Sequence, residues 1–199
     1  HVLEANVNSN MVLLVFYVAN LMGVMLWNRV AQHVGKRKAW LMGMATAIIA
    51  QPGYWFLGPG DLYWMMVVFF VLGLGIGSFS ALPAAMKADV VDLDRLCSGE
   101  DRTGLFFSVW SLANKMVVAF AAGFALNLLA FFDFQAKFGV NGPDQIMALR
   151  VVFVFLPIVF YVAAFAMMWN YPISEERHKR LIGMLERKSA RRAKQAAVI

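Results

Sequence analysis

The segment FFSVWSLANKMVVAF, residues 106–120, sets one lysine, Lys115, among apolar residues. An ammonium group in such a place can bind an anion, hydrogen-bond a polyhydroxylated ligand, or pair with a carboxylate from another helix. Ser108 and Ser111 precede Lys115 by seven and four residues, and Ala119 and Ala122 follow it by four and seven. At helical spacing, the face around the lysine is therefore small or hydroxylated. Lys115 lies ten residues beyond Leu105, about 15 Å along a helix that rises about 1.5 Å per residue. In a membrane-crossing helix that is near the midplane of a hydrocarbon core about 30 Å thick, too deep for the side chain to reach water. A lysine at that depth costs about 2.5–3.5 kcal/mol on insertion scales, and such residues face the bundle interior or a wet cavity. A purely structural lysine would need a central Asp or Glu on another span, and none of the spans read below supplies one. Its partner then belongs to another part of the protein or to the cargo, and a ligand or coupling role is expected for Lys115.

A second concentration of chemistry is ADVVDLDRLCSGEDRTG, residues 88–104, where Asp89, Asp92, Asp94, Glu100 and Asp101 stand beside Lys87, Arg95 and Arg102. Carboxylates three apart on a helix share a face, and hard oxygen ligands suit Mg²⁺, so one reading is a magnesium–diphosphate site of a prenyl-transfer enzyme. That cage needs a second acidic cluster, and the other segment on the same side, NRVAQHVGKRKAW at 28–40, has no acid. The remaining reading is a gate or latch in which the acids pair with Arg and Lys of neighbouring segments, with Asp89, Asp92 and Arg102 as its members. No HExxH helix, CxxC pair, GxSxG elbow or P-loop occurs, so an enzyme is not expected. LGLGIG, residues 72–77, has nucleotide-loop glycine spacing but lies in an apolar run with no strand before it. Gly73 and Gly77 instead make a small-xxx-small pair that admits a neighbouring helix, and Pro83 is expected to bend or loosen the end of the same helix.

The elements that must carry these groups follow from composition. The chain of 199 residues is 61% hydrophobic and 15% charged, against about 45–50% and about 25% in soluble domains. An all-α integral membrane protein is expected, with about five spans near 11–31, 40–57, 63–86, 105–130 and 147–171. The second is the shortest and ends at Pro52 and Gly53. Arg29, Lys36, Arg37 and Lys38 follow the first span, and Lys87, Arg95 and Arg102 follow the third. The tail after the fifth is strongly basic, while the opposite side has Lys137 and Arg150. By the positive-inside rule the first residues face outward and the tail, 174–199, is cytoplasmic. The net charge of +6 is thus a topology signal, and the tail suits anionic lipid headgroups rather than nucleic acid. Cys97, the single cysteine, falls on the cytoplasmic side and can form no internal disulfide. The chain opens on His1 with no signal-like n-region. With an odd number of spans starting outside, it is expected to be part of a longer chain.

Asp89-Val-Val-Asp92 at a cytoplasmic helix end, Lys115 in the next span, and NRVAQHVGKRKAW between two earlier spans together resemble the C-terminal half of the glycoside-pentoside-hexuronide:cation symporter family. The resemblance covers nearly the whole chain and implies the major facilitator superfamily. Its fold has twelve helices in two halves, with substrate between the halves near the midplane and alternating access by rocking. Lys115 matches the cavity lysine of melibiose-type permeases, Ser111 a cavity hydroxyl one turn away, and Asp89 and Asp92 the acidic pair at the cytoplasmic gate. Ser80 takes the substrate-facing position at which those permeases place an aromatic ring against the sugar. The resemblance implies a cation-coupled transporter for a sugar, glycoside or related small solute in the plasma (bacterial inner) membrane. It also implies no cofactor and no metal site in this chain, since the carboxylates that bind the coupling Na⁺ or H⁺ belong to the N-terminal half. The expected partners are that half, the membrane lipids and the small-molecule substrate. Two alternatives share the fold: a lysophospholipid-type symporter, whose lysine would neutralise a phosphate, and a non-transporting membrane subunit.

Overall fold

A computed structural model of the chain describes residues 9–58, 60–134, 141–169 and 183–184, and all regular structure among them is helical. Helix α1 is Ser9–Val34, α2 Lys36–Ala50, α3 Leu62–Ser98, α4 Thr103–Phe131 and α5 Pro143–Trp169. Each of the five expected spans overlaps one of them, the second running beyond α2 and the last two residues of the fifth lying outside the described residues. Lys137 and all of the 174–199 tail except Gly183 and Met184 lie outside the described residues.

Four helices, α1, α3, α4 and α5, are long and apolar enough to cross a membrane. Helix α2 has 15 residues and continues as a 3₁₀ helix over Gln51–Phe56, with Pro52 in its first turn. Fifteen residues at about 1.5 Å and six at about 2.0 Å give about 34 Å, so the two helical forms together match the hydrocarbon thickness. The proline that was expected to end the second span tightens it instead, because a missing N–H is tolerated in the first turn of a new helix.

The third span differs from the sequence expectation at its C-terminal end. Pro83 lies inside α3, and the helix runs on through the acidic segment to Ser98, where Gly99 at φ +76° terminates it. Residues 88–98 are therefore helix, and the connection to α4 is only Gly99–Arg102. The charged turns persist because they project past the apolar segment, where water solvates their side chains.

Helix α3 is the hub. Gly73 and Gly77 meet α1 so closely that a Cβ on Gly77 would lie 2.6 Å from the Gly23 carbonyl carbon, and one on Gly73 2.7 Å from the Phe16 oxygen. On another face Gly75 meets α2, where a Cβ would lie 2.8 Å from the Ala47 nitrogen, and Ser78, fully buried, abuts Gly43. Lipid gives helices no hydrophobic reason to associate, so close backbone contact and interhelical hydrogen bonds must hold them. The Trp27 indole donates to the Leu74 carbonyl at 2.8 Å, joining α1 to α3. The Gln51 amide, 3% exposed, donates to the Phe153 carbonyl at 2.8 Å, joining the 3₁₀ helix to α5. Around it an apolar cluster of Val12, Ala47, Tyr54, Val68, Leu72 and Val154 fills one end of the bundle. Helix α4 stands apart, for none of its residues is buried.

Candidate functional site

The position of Lys115 follows from how α4 meets its neighbours. Leu105, Phe106, Val109, Trp110 and Ala113 line an apolar cavity of about 550 Å³ that α4 shares with Trp40 of α2, Pro83–Val90 of α3 and Met168 of α5. At about 100° per residue these five positions form one face of α4, and Ser108, Ser111 and Lys115 lie about 200° around from its centre. The hydroxyl and ammonium stripe is thus turned away from the bundle that the chain itself builds. Ser108, Ser111 and Lys115 are all exposed. Ser108 donates to the Leu105 carbonyl at 2.9 Å, while the Lys115 ammonium has no hydrogen-bond or ionic partner among the described residues.

One contact sets the register of α4 on α3. The Lys87 ammonium lies 4.6 Å from the ring centroids of both Phe107 and Trp110, a cation held between two aromatic faces. From that clamp Ser80 is seven residues back along α3, and Lys115 is five and eight residues forward of Trp110 and Phe107. The helices run antiparallel, so Ser80 and Lys115 both lie about 8–12 Å below the clamp at about 1.5 Å per residue. Ser80 is exposed as well. The fold therefore sets Ser80 and Lys115 at one depth on successive helices, with Ser111 one turn nearer the clamp, and no hydrogen bond joins the three among the described residues.

At the clamp's end the bundle gathers its charges. The Lys36 ammonium, at the first turn of α2, lies 2.7 Å from each carboxylate oxygen of Asp89, and reaches the Ala85 carbonyl at 3.5 Å. Asp89 is thus held inside the bundle, α2 to α3. Arg102 forms a two-pronged contact with the Glu100 carboxylate at 2.8 and 2.9 Å, and Arg95 lies 3.8 Å from Asp101. Asp101 accepts from the Thr103 hydroxyl at 2.6 Å and its amide at 3.2 Å, at the start of α4. The hydrogen bonds from Thr103, with the charge of Arg95 behind them, hold the Asp101 carboxyl below the usual aspartate range. Asp92, one turn past Asp89, is exposed and has no ionic partner among the described residues. Asp89, Asp92 and Arg102 therefore do not converge: Asp89 faces Lys36, Arg102 faces Glu100, and Asp92 points to the surface. No cluster among the described residues could hold a metal ion.

Sequence reasoning missed three groups that shape this region. Lys87 reads as a topology charge, although Phe107 and Trp110 at three-residue spacing in the next span were the available sign of its clamp. Arg37 donates to the carbonyl of Trp169, tying α2 to the end of α5, and Arg150 donates to the Leu57 carbonyl at 2.8 Å at the opposite end. Both counted as orientation signals only.

The bundle of membrane-length apolar helices thus carries a polar stripe on the face of α4 turned away from its neighbours. The chain belongs to the MFS/sugar transport protein family, whose pattern it matches over residues 1–175. It is 26% identical over 163 residues to an uncharacterized symporter of Synechocystis sp., covering 79% of this chain and 30% of the relative. It is 23% identical over 150 residues to the glucuronide carrier protein homolog of Escherichia coli, covering 75% of this chain and 33% of that protein. With the isoprimeverose transporter of Lactiplantibacillus pentosus it shares 28% identity over 172 residues, covering 85% and 35%. The chain spans about a third of the length of these relatives.

Proposed function

We propose that this chain forms one wall of a cation-coupled symporter for a sugar or glycoside, working by alternating access. The observation that carries the reading is the Ser108–Ser111–Lys115 stripe, at mid-depth on the face of α4 turned from its own bundle. A sugar offers many acceptor oxygens, and an ammonium offers three donors and a serine one. A hexuronide adds a carboxylate, for which Lys115 is a direct counter-charge, and a glucuronide carrier homolog and an isoprimeverose transporter are among the relatives. Ser80 supplies a hydroxyl at the same depth but no ring on which a sugar could stack. The opposing wall and the carboxylates for Na⁺ or H⁺ come, in this reading, from sequence outside the 199 residues. The basic end faces the cytoplasm, with the tail 174–199 on that side, in a plasma or bacterial inner membrane.

The test is uptake and binding of labelled glycosides and glycuronides by the full-length transporter carrying Lys115→Ala. A hydrogen bond to a charged group contributes about 1.5–3 kcal/mol, so binding should weaken by about ten- to 150-fold. Removing a central charge also lowers the insertion cost, so the variant should insert and melt like the parent. Intact binding with a lowered melting temperature would make Lys115 a scaffold residue and overturn the proposal.

A further inference from the structure

The cavity on the inner face of α4 lies on the side of the helix opposite the Ser108–Ser111–Lys115 stripe. It is walled by Trp40, Met86, Val90, Phe106, Val109 and Met168 among others, and Lys87 is the charged lining residue among the described residues. Sugar hydroxyls would lose their hydrogen bonds to water there without replacement. Yet Lys87 carries a full charge that only ring faces meet: its ammonium has no carboxylate and no hydrogen-bond acceptor among the described residues. A second cation flanks the same mouth. Arg37 lies one helical turn before Trp40 and donates to the carbonyl of Trp169, next to Met168 of the wall. Along α4 the lining extends from Leu105 to Ala113, about 12 Å at about 1.5 Å per residue. It therefore descends from the charged end of the bundle into the hydrocarbon layer.

We propose that this cavity holds an acyl chain of an anionic phospholipid, drawn from the leaflet at the basic end, with the lipid phosphate at Lys87. The shape of the polarity selects the occupant: cations at the level of the headgroups and an apolar slot beneath them match an amphiphile of negative charge. A soluble anion would use Lys87 and leave the slot empty, and a zwitterionic lipid would fill the slot with little gain at the lysine. Basic pockets between membrane helices on the side rich in Lys and Arg are known to take anionic headgroups.

The test uses the full-length transporter in phosphatidylcholine nanodiscs doped with phosphatidylglycerol whose acyl chains are brominated, with brominated phosphatidylcholine as the reference. Bromine quenches tryptophan on contact, and Trp40 and Trp110 line the cavity. Brominated phosphatidylglycerol should reach half-quenching at a mole fraction lower by about fivefold, the preference one cation confers near an anionic headgroup. Lys87→Gln should remove that preference, Lys87→Arg should keep it, and Ala113→Phe, which fills the slot, should reduce the quenching of Trp40 and Trp110, read with the other tryptophans replaced by Phe. Equal quenching by the two lipids in the parent protein overturns the proposal. So does a preference that survives Lys87→Gln, displacement of the brominated lipid by soluble glycerol phosphate, or quenching of Trp40 and Trp110 untouched by Ala113→Phe, which would mean that the lipid chain reaches them outside the slot. Sugar uptake does not enter any of these readouts, so failure here and failure of the transport reading are separable.

Discussion

Neutralising either end of the Lys36–Asp89 pair should destabilise the bundle, and neutralising both should cost less than the sum. The ammonium sits 2.7 Å from each oxygen, with the lysine side chain 37% exposed and the aspartate 18%. At an effective dielectric of about 20 the gross attraction is about 6 kcal/mol. Desolvation of two partly covered ions and the ordering of a long side chain offset most of it. Exposed pairs retain about 0–1 kcal/mol, whereas breaking a buried pair costs about 3–5. This pair lies between those limits, so the coupling should be about 1–2 kcal/mol. The assay is a double-mutant cycle of Lys36→Met and Asp89→Asn on the full-length protein in detergent, read by denaturant unfolding. Each single variant should unfold earlier, and the double variant no earlier than the worse single one. Strict additivity, with coupling under about 0.3 kcal/mol, would show that the contact contributes nothing and that α2 and α3 are held by their glycine packing alone.

Asp92→Asn should leave stability within about 0.5 kcal/mol of the parent while changing the maximal uptake rate, because Asp92 is exposed and engages no cation inside this bundle; an unchanged rate would exclude it from the gate. Gly77→Leu should destabilise by about 1–3 kcal/mol or more, since even its Cβ would press on the α1 backbone, whereas Gly104→Ala, with open space around it, should be neutral or slightly stabilising. An impermeant maleimide should label Asp144→Cys in intact cells but spare Cys97, both exposed positions at opposite ends of the bundle; the reverse pattern would invert the orientation drawn from charge. The Asp101 carboxyl is held below its ordinary range, so its contribution to the start of α4 is complete above that range and is lost as pH falls through the lowered value. The protection of the Thr103 amide against exchange, relative to its intrinsic rate, should fall there, and Asp101→Ala should remove that step.

The long apolar runs made the helices legible, because hydrophobicity alone decides what can cross a bilayer. Gly73 and Gly77 announced the α1–α3 contact for a related reason: in lipid, small residues at four-residue spacing have few other uses. The run of the helix on to Ser98 was not legible, since acids and arginines on a solvated helix have the same composition as a loop. Gly99, the one residue that marks the boundary, is visible only as a candidate stop. The site was legible as a face and not as a constellation. Lys115, Ser111 and Ser108 could be placed together by their spacing on one helix, but pairing Asp89 with Lys36 needed the three-dimensional crossing of α2 and α3. Nothing in the spacing of NRVAQHVGKRKAW distinguishes Lys36 from Arg37 or Lys38 as the partner.

The attachments of the helices differ in kind. Helix α3 is locked to α1 and α2 by backbone contacts at Gly23, Gly43, Gly73, Gly75 and Gly77, where a lateral shift of about 1 Å would create overlap on one side and a void on the other. Helix α4 is held by no buried residue, by a lysine over two rings, and by its edge on α5. An ammonium over aromatic faces tolerates sliding, because the attraction is broad and electrostatic and no close packing is lost. The helix that carries Lys115 is therefore the one least committed to the bundle. In the proposed reading, a ligand at Lys115 and Ser111 would pull on that helix first, against the clamp at Lys87. The Ser111–Lys115 stripe and the charged end of the bundle are in this way joined by a single element, α4.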